Sequence, residues 1–192
     1  ANGLLNLAAV VDQTNFSTTK WNGVDWGNPV DDALTVTVGG NYDFQVVKLY
    51  AGAQYFDNAD LNSIDNIFSK DFALSPAQTE RFQVKGYGLT IGADIPAAGG
   101  TFKVATSYLD GTIDKVNGWD MATAIGATFG EIDISRWNTS AGYLYSLSKR
   151  TSPYGLASYS YQTVQGQKDF NGYSLDVAPT VIEVAAGIVH KF

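Results

Sequence analysis

The charged and amide side chains of this sequence lie at alternate positions of extended stretches and are not gathered into one compact motif. Successive side chains of a β-strand point to opposite faces, so these residues share a face with other polar side chains. Ammonium and carboxylate groups placed in this way can attract small ions of opposite charge, although they can also be ordinary solvated residues. The residues predicted to line a water-facing surface are Asn41, Asp43, Lys48, Gln54, Lys85 and Lys103.

The remaining reactive residues do not indicate a catalytic centre. His190 is the single histidine, and no serine or aspartate is placed to form a nucleophile–base pair with it. The chain has no cysteine, which excludes disulfide scaffolds, thiolate metal sites and cysteine nucleophiles. We therefore expect a protein that is not an enzyme.

Acidic residues are concentrated in the long polar segments between the predicted strands. Carboxylates and backbone carbonyls are the oxygen ligands that Ca²⁺ prefers, so a calcium site in these loops is one interpretation. The sequence has no D-x-[DN]-x-[DN]-G run, which favours a solvated outer surface, and no other cofactor or metal is expected. The acidic residues concerned are Asp57, Asp60, Asp65, Asp71, Asp110, Asp114, Asp120, Glu131 and Asp133.

The 20 glycines and 25 aromatic residues favour many strands with tight turns, and the rest of the composition excludes several classes of protein. The 192 residues carry a net charge of −7 without any basic run, so the footprint of a nucleic-acid-binding protein is missing. Only 16% of the residues are charged, against roughly 25% in typical soluble domains. No uninterrupted apolar stretch approaches the length of a transmembrane helix. Strands of about ten residues with alternating polarity can also cross a membrane. No basic segment precedes an apolar one at the start, so we expect any export signal to lie upstream or to have been removed.

Eight stretches of alternating polarity predict eight strands, at residues 4–15, 34–44, 46–56, 82–95, 101–109, 137–148, 154–163 and 182–192. The connections between them alternate between long and short, and the short ones lie at 44–45, 96–100 and 149–152. The long segment 112–135 contains its own alternation at 121–129, which indicates a protruding hairpin or a strand extension. This pattern of connections predicts an antiparallel meander with all its long loops at one end.

The aromatic residues distinguish a sheet that faces lipid from one that faces only water. Period-two alternation occurs in both, but aromatic girdles at the strand ends are typical of outer-membrane barrels. The sequence therefore predicts an all-β fold, an antiparallel transmembrane β-barrel forming one domain over 1–192, with a soluble β-sandwich as the weaker alternative. The aromatics at the strand ends are Tyr42, Phe44, Tyr55, Phe56, Phe102, Tyr108 and Phe192.

Two motifs near the C-terminus resemble those of a known family. The run YSLSKRT at 145–151 resembles the Y-x-L-S-K-R-T hairpin of the trimeric general porins of Gram-negative bacteria. The ending GIVHKF at 187–192 resembles the G-x-x-H-[KR]-F ending of their β-proteobacterial branch. The hairpin over 42–52 is similar to another in the same family, and the NGL run at 2–4 resembles a turn and strand near its middle.

The resemblance implies an outer-membrane channel for passive diffusion of ions and small hydrophilic solutes, built as a trimer of sixteen-stranded barrels. Family members are much longer, and this chain resembles their C-terminal half. A complete eight-stranded barrel with a structural or loop-mediated binding role is the alternative. The partners implied are two further copies, outer-membrane lipid, lipopolysaccharide and the barrel-assembly machinery. In this reading Lys149 and Arg150 lie in a periplasmic turn, and the assembly signal comprises Ile188, His190, Lys191 and Phe192.

Overall fold

The computed structural model describes residues 4–15, 20–21, 24–25, 31–60, 83–113, 131–166 and 175–191. Every regular element in these ranges is a β-strand, which confirms the all-β fold class. They include no helix that is long and apolar enough to span a membrane. The strands are β1 (Leu4–Thr14), β2 (Lys20–Trp21), β3 (Val24–Asp25), β4 (Ala33–Asp43), β5 (Lys48–Asp60), β6 (Gln83–Ala97), β7 (Gly100–Ile113), β8 (Ile132–Tyr145), β9 (Thr151–Gly166), β10 (Leu175–Val177) and β11 (Thr180–His190).

Nine of these strands form one antiparallel sheet, while β2 and β3 form a separate small hairpin within the first long connection. β1 pairs with β4, and each later strand pairs with the next as far as β9. β10 and β11 both pair with β9 in one continuous register, and Pro179 separates them because it has no amide hydrogen to donate. The carbonyl of Pro179 still accepts a hydrogen bond from the amide of Gln162 at 3.1 Å. The sheet is therefore the predicted meander of eight lines, with its last line broken.

The short connections all lie at one end of the sheet, which we call the short-turn end. They span residues 44–47, 98–99 and 146–150, so the turn predicted at 149–152 lies earlier in the chain. Its backbone is closed by Ser148, whose Oγ accepts hydrogen bonds from the amides of Arg150 and Thr151 at 3.2 and 3.0 Å. Thr151 already pairs with β11, because this closure brings the chain back into the sheet at that residue.

Cross-strand pairing gives the sheet one polar and one apolar face. One row of paired residues runs Asn6, Asn41, Tyr50, Gly92, Ala105, Ser140, Ser158 and Glu183, and its face is called the polar face. The adjacent row on the other side, the apolar face, runs Leu5, Tyr42, Leu49, Ala93, Val104, Ala141, Ala157 and Val184. The apolar side chains are largely exposed, with Ile91 at 60% and Val184 at 79%. A water-soluble sheet would cover such a surface with a second layer.

Aromatic side chains on the apolar face form two belts with aliphatic side chains between them. The belt at the short-turn end comprises Tyr42, Phe44, Phe102, Tyr143 and Tyr145. The belt towards the long connections comprises Tyr55, Tyr87, Tyr108, Trp137 and Tyr161. In this second belt the Tyr108 ring lies 6.4 Å from that of Tyr87 and 6.3 Å from that of Trp137, measured between centroids. Two belts flanking an aliphatic band are the pattern of a wall that crosses a bilayer.

Beyond the second belt the two faces exchange character. There the polar face carries a buried apolar cluster. A β-bulge at Asn58, whose φ is 54°, shifts the register of β5 so that Phe56 and Ala59 both face the cluster. The opposite face carries the ion pair between Lys85 and Asp57, with 3.7 Å between Nζ and Oδ1. The cluster comprises Phe56, Ala59, Val84, Ile113, Ile132, Ile134 and Val164, each 5% exposed or less.

This exchange explains where the sequence-based boundaries differ from the structure. β7, β8 and β9 all continue past their predicted limits, because the apolar residues there occupy the face that is polar between the two belts. The prediction of Phe56 as a girdle residue is wrong, since its side chain is buried in the apolar cluster. The alternation predicted at 121–129 lies outside the described residues.

Candidate functional site

Five of the six residues predicted to face water lie on the polar face. Asn41 accepts a hydrogen bond from Asn6, with 3.0 Å between Nδ2 and Oδ1, and Gln54 donates to the hydroxyl of Thr37 at 3.2 Å. Both contacts join neighbouring strands and leave further polar atoms free to contact water. They therefore describe a hydrated wall and do not form a closed binding pocket.

Asp43 has a structural contact at the short-turn end. Its Oδ1 accepts a hydrogen bond from the amide of Gln45 at 2.7 Å. Gln45 has a φ of 71°, a conformation that few residues other than glycine adopt readily. The carboxylate of Asp43 therefore helps to hold the first short turn.

Lys85 stands apart from the other candidates. Its register pairs it with Thr112, on the same face as Tyr87 and Ile91. Lys85 lies beyond the second aromatic belt and is ion-paired with Asp57. The structure thus places it on the outward side of the extended strands and apart from Lys48 and Lys103.

A row of alternating charge crosses four strands on the polar face at the short-turn end. Asp43 pairs with Lys48, Lys48 with Asp94, and Asp94 with Lys103. Opposite charges directly across a strand pair stabilise each other, and each residue of this row faces an opposite charge on an adjacent strand. We call these four residues the charged row.

The closest contacts in the charged row converge on Asp94. Its Oδ2 accepts a hydrogen bond from the ammonium of Lys103 at 2.6 Å and one from the hydroxyl of Tyr50 at 2.9 Å. Lys48 extends over the ring of Tyr50, with Nζ 5.3 Å from the centroid. Tyr50 pairs with Gly92, which has no side chain to stand between the tyrosine ring and Asp94 two residues further along β6.

Tyr50 and Asp94 were not among the residues selected from the sequence. The signal was present, because Asp94 has the same parity as the polar positions of its strand and precedes a short turn. What was missing was the register that sets it between two lysines.

The terminal strand is attached to the last short turn. The amide of Lys191 donates to the carbonyl of Arg150 at 2.8 Å, and Nδ1 of His190 lies 3.0 Å from Oγ1 of Thr151. Ile188 is 71% exposed on the apolar face, while Lys149 and Arg150 are exposed in the turn. Phe192 lies outside the described residues. The assembly signal and the periplasmic position of this turn stay predictions.

The described residues contain no group of three or more acidic, histidine or cysteine side chains able to hold a metal ion. Asp57, Asp110 and Asp133 belong to strands at the long-connection end. Asp60 and Glu131 are also described, whereas Asp65, Asp71, Asp114 and Asp120 lie outside the described ranges. Calcium binding therefore stays a prediction.

Comparison with known proteins gives two matches. The profile of the Gram-negative porin family matches residues 1–167. An outer membrane porin protein of Bordetella pertussis is 29% identical over 192 residues, which cover all of this chain and 44% of that protein. The chain thus spans less than half the length of the curated relative that it matches. No solved structure gives a significant match.

Proposed function

Because the chain belongs to the Gram-negative porin family, we propose that it forms part of the wall of a water-filled channel through which ions and small hydrophilic solutes diffuse passively. Family membership places the protein in the outer membrane of a Gram-negative bacterium. The observation that carries the proposal is the two-faced sheet, whose exposed apolar face is bounded by aromatic belts. Lipid contacts such a face, and the hydrogen-bonding side chains of the other face then line a hydrated lumen.

A diffusive channel requires no catalytic residues, and the contacts of the polar face agree with that role. Among the described residues, its polar side chains bond to neighbouring strands and are not arranged as a nucleophile with its base. Selection among solutes then depends on the size of the lumen and on the local field of its charged groups. We propose a non-enzymatic role on this basis.

The whole barrel is proposed to have sixteen strands and to assemble as a trimer, with this chain as one domain in its C-terminal half. Two observations support the larger barrel. The relative is more than twice as long as this chain, and β1 and β11 share no ladder among the described residues. An eight-stranded barrel with a structural or binding role would need that ladder to close, because a barrel has no free edge.

Single-channel recording in planar lipid bilayers tests the channel function. The intact polypeptide, purified in detergent, should produce large and stable conductance steps, and its conductance should rise in proportion to bulk salt conductivity. The folded protein can be recognised on gels by a compact band whose mobility changes on heating. Absence of conductance steps from such folded protein would overturn the channel proposal.

The mass of the natural polypeptide tests the size of the barrel separately. A mass about twice the 20.6 kDa of this sequence is expected if the chain belongs to a sixteen-stranded barrel. A natural polypeptide of 20.6 kDa would instead favour the eight-stranded alternative. Chemical cross-linking in the outer membrane would show whether three copies associate.

A further inference from the structure

We propose that Asp94 determines the ion selectivity of the short-turn mouth of the channel, with Tyr50 and Lys103 as its positioning residues. This inference rests on the proposed channel function and deepens it. The juxtaposition that carries it is one carboxylate between two ammonium groups, Lys48 and Lys103, on three adjacent strands of the polar face. In this arrangement Asp94 offsets the positive field that the two lysines would otherwise present to passing ions.

The geometry fixes the carboxylate in place. Two donors from different strands, Lys103 on one side and Tyr50 on the other, converge on the same oxygen, Oδ2. Hydrogen bonds from charged donors are about twice as strong as neutral ones, and the second donor restricts rotation of the carboxylate. Asp94 is therefore an oriented charge, 22% exposed at its side chain, while the side chain of Lys103 is 51% exposed.

The carboxylate of Asp43 does not substitute for that of Asp94. It lies in the same row, but its Oδ1 is engaged by the amide of Gln45 in the turn. Lys48 borders both acids, whereas Lys103 borders Asp94 on one strand and Gly142 on the other. Removal of the Asp94 charge thus leaves Lys103 without a carboxylate beside it in the row.

The surroundings keep the row accessible to ions. Its neighbours on the polar face include Gly92, Ala105 and Gly142, whose side chains are absent or a single methyl group. Small residues beside charged ones leave room for hydrated ions to approach the row. A unit charge about 7 Å from an ion in water changes the energy of that ion by roughly one thermal unit, which is a factor of about two to three in relative permeability.

Reversal potentials of the intact protein in a KCl gradient test the proposal. D94N keeps the shape of the side chain and removes its charge, so the ratio of chloride to potassium permeability should rise by about two- to threefold. K103M should shift the same ratio in the opposite direction. D133N is the matched control, because Asp133 lies on the outward face beyond the second belt and its replacement should leave the ratio unchanged.

A second variant makes the result independent of folding differences between channels. The 192 residues contain no cysteine, so D94C introduces a thiol where this stretch has none, and the wild-type protein treated with the same reagents is its control. A negatively charged methanethiosulfonate reagent, added during recording, should restore the wild-type ratio, and a positively charged one should raise the chloride preference further. Y50F should give a smaller shift than D94N in the same direction at unchanged single-channel conductance.

The outcomes separate the two proposals. A wild-type protein that does not conduct overturns the channel function itself. A conducting wild type in which D94N and D133N give the same ratio, or in which the reagents at position 94 leave the ratio unchanged, overturns the role of Asp94 alone.

Discussion

At the scale of single residues, the short turns show how local backbone chemistry sets the architecture. Ala98 and Gly99 have φ angles of 49° and 80°, the pair of positive values found in type I′ turns. This turn type matches the right-handed twist of the two strands that it joins. The hydroxyl of Tyr143 donates to the carbonyls of Ala97 and Ala98 at 3.0 and 2.9 Å, so the first aromatic belt also holds the turn.

The turn gives a prediction that depends on one glycine. Gly99→Ala should lower the free energy of unfolding by about 1–2 kcal/mol, because an L-residue is strained at this φ. A Cβ there would also lie 3.3 Å from a ring carbon of Tyr145. The measurement is denaturant unfolding of the folded protein in lipid vesicles, followed by tryptophan fluorescence.

Gly155→Ala is the matched control for that experiment. A Cβ at Gly155, within β9, would meet no atom within 4 Å. This replacement should be neutral or stabilise the protein by roughly 0.5–1 kcal/mol, since glycine is unfavourable inside a strand. Equal losses from both replacements would contradict the explanation based on φ.

At the scale of elements, β5 to β9 each combine two environments along one strand. Between the belts their apolar side chains point to the apolar face, and beyond the second belt they point to the polar face. Gly111 allows this packing, because a Cβ at that position would lie 2.8 Å from Cγ1 of Val84 and 3.5 Å from Cε2 of Phe56. The strand extensions beyond the second belt are therefore stabilised by an apolar core of their own, whereas the apolar side chains between the belts face outward.

Replacing an isoleucine in each environment distinguishes the two kinds of burial. Ile134→Ala should cost about 2–5 kcal/mol of unfolding free energy, because it leaves a cavity in the apolar cluster. Ile182 lies on the apolar face of β11 and is 72% exposed, so Ile182→Ala should cost less because lipid fills the space that is vacated. Both are measured by unfolding in vesicles, and equal costs would argue against a protein-filled cluster.

At the scale of the whole molecule, the sheet separates two solvents. Its apolar face carries exposed aliphatic side chains between two aromatic belts, and its polar face carries hydroxyl, amide and charged groups. A wall of this kind is stable only where lipid lies on one side and water on the other. The two faces of the sheet therefore agree with the location of the porin family in the outer membrane.

Adjacent residues of β6 provide a test of that sidedness. Ile91→Lys, midway between the belts on the apolar face, should destabilise the folded state in vesicles by roughly 2–4 kcal/mol, because it exposes a charge to lipid. Thr90→Lys, one residue away on the polar face, should cost much less because its ammonium group reaches water. Similar costs for the two variants, measured by reversible unfolding, would be inconsistent with the assignment of the faces.

The features that depend on local alternation could be predicted from the sequence alone. Period-two patterning from Val36 to Tyr42 and from Leu89 to Ile95 was enough to place strands, assign their faces and predict a meander with short turns at one end. The resemblance of the run at 145–151 to a porin motif agreed with the family match, which covers residues 1–167. These features follow from side-chain direction within one strand, which needs no knowledge of its neighbours.

The contacts between residues of different strands become evident only in the folded sheet. Register sets Asp94 between Lys48 and Lys103, and a slip of one residue would send every side chain of a strand to the other face. The same dependence explains the burial of Phe56 and Ile134. Their positions along the chain do not reveal it, because it arises where the strands extend beyond the second belt. The sequence could not reveal these contacts, because they arise from long-range pairing and from the change of solvent along the strand.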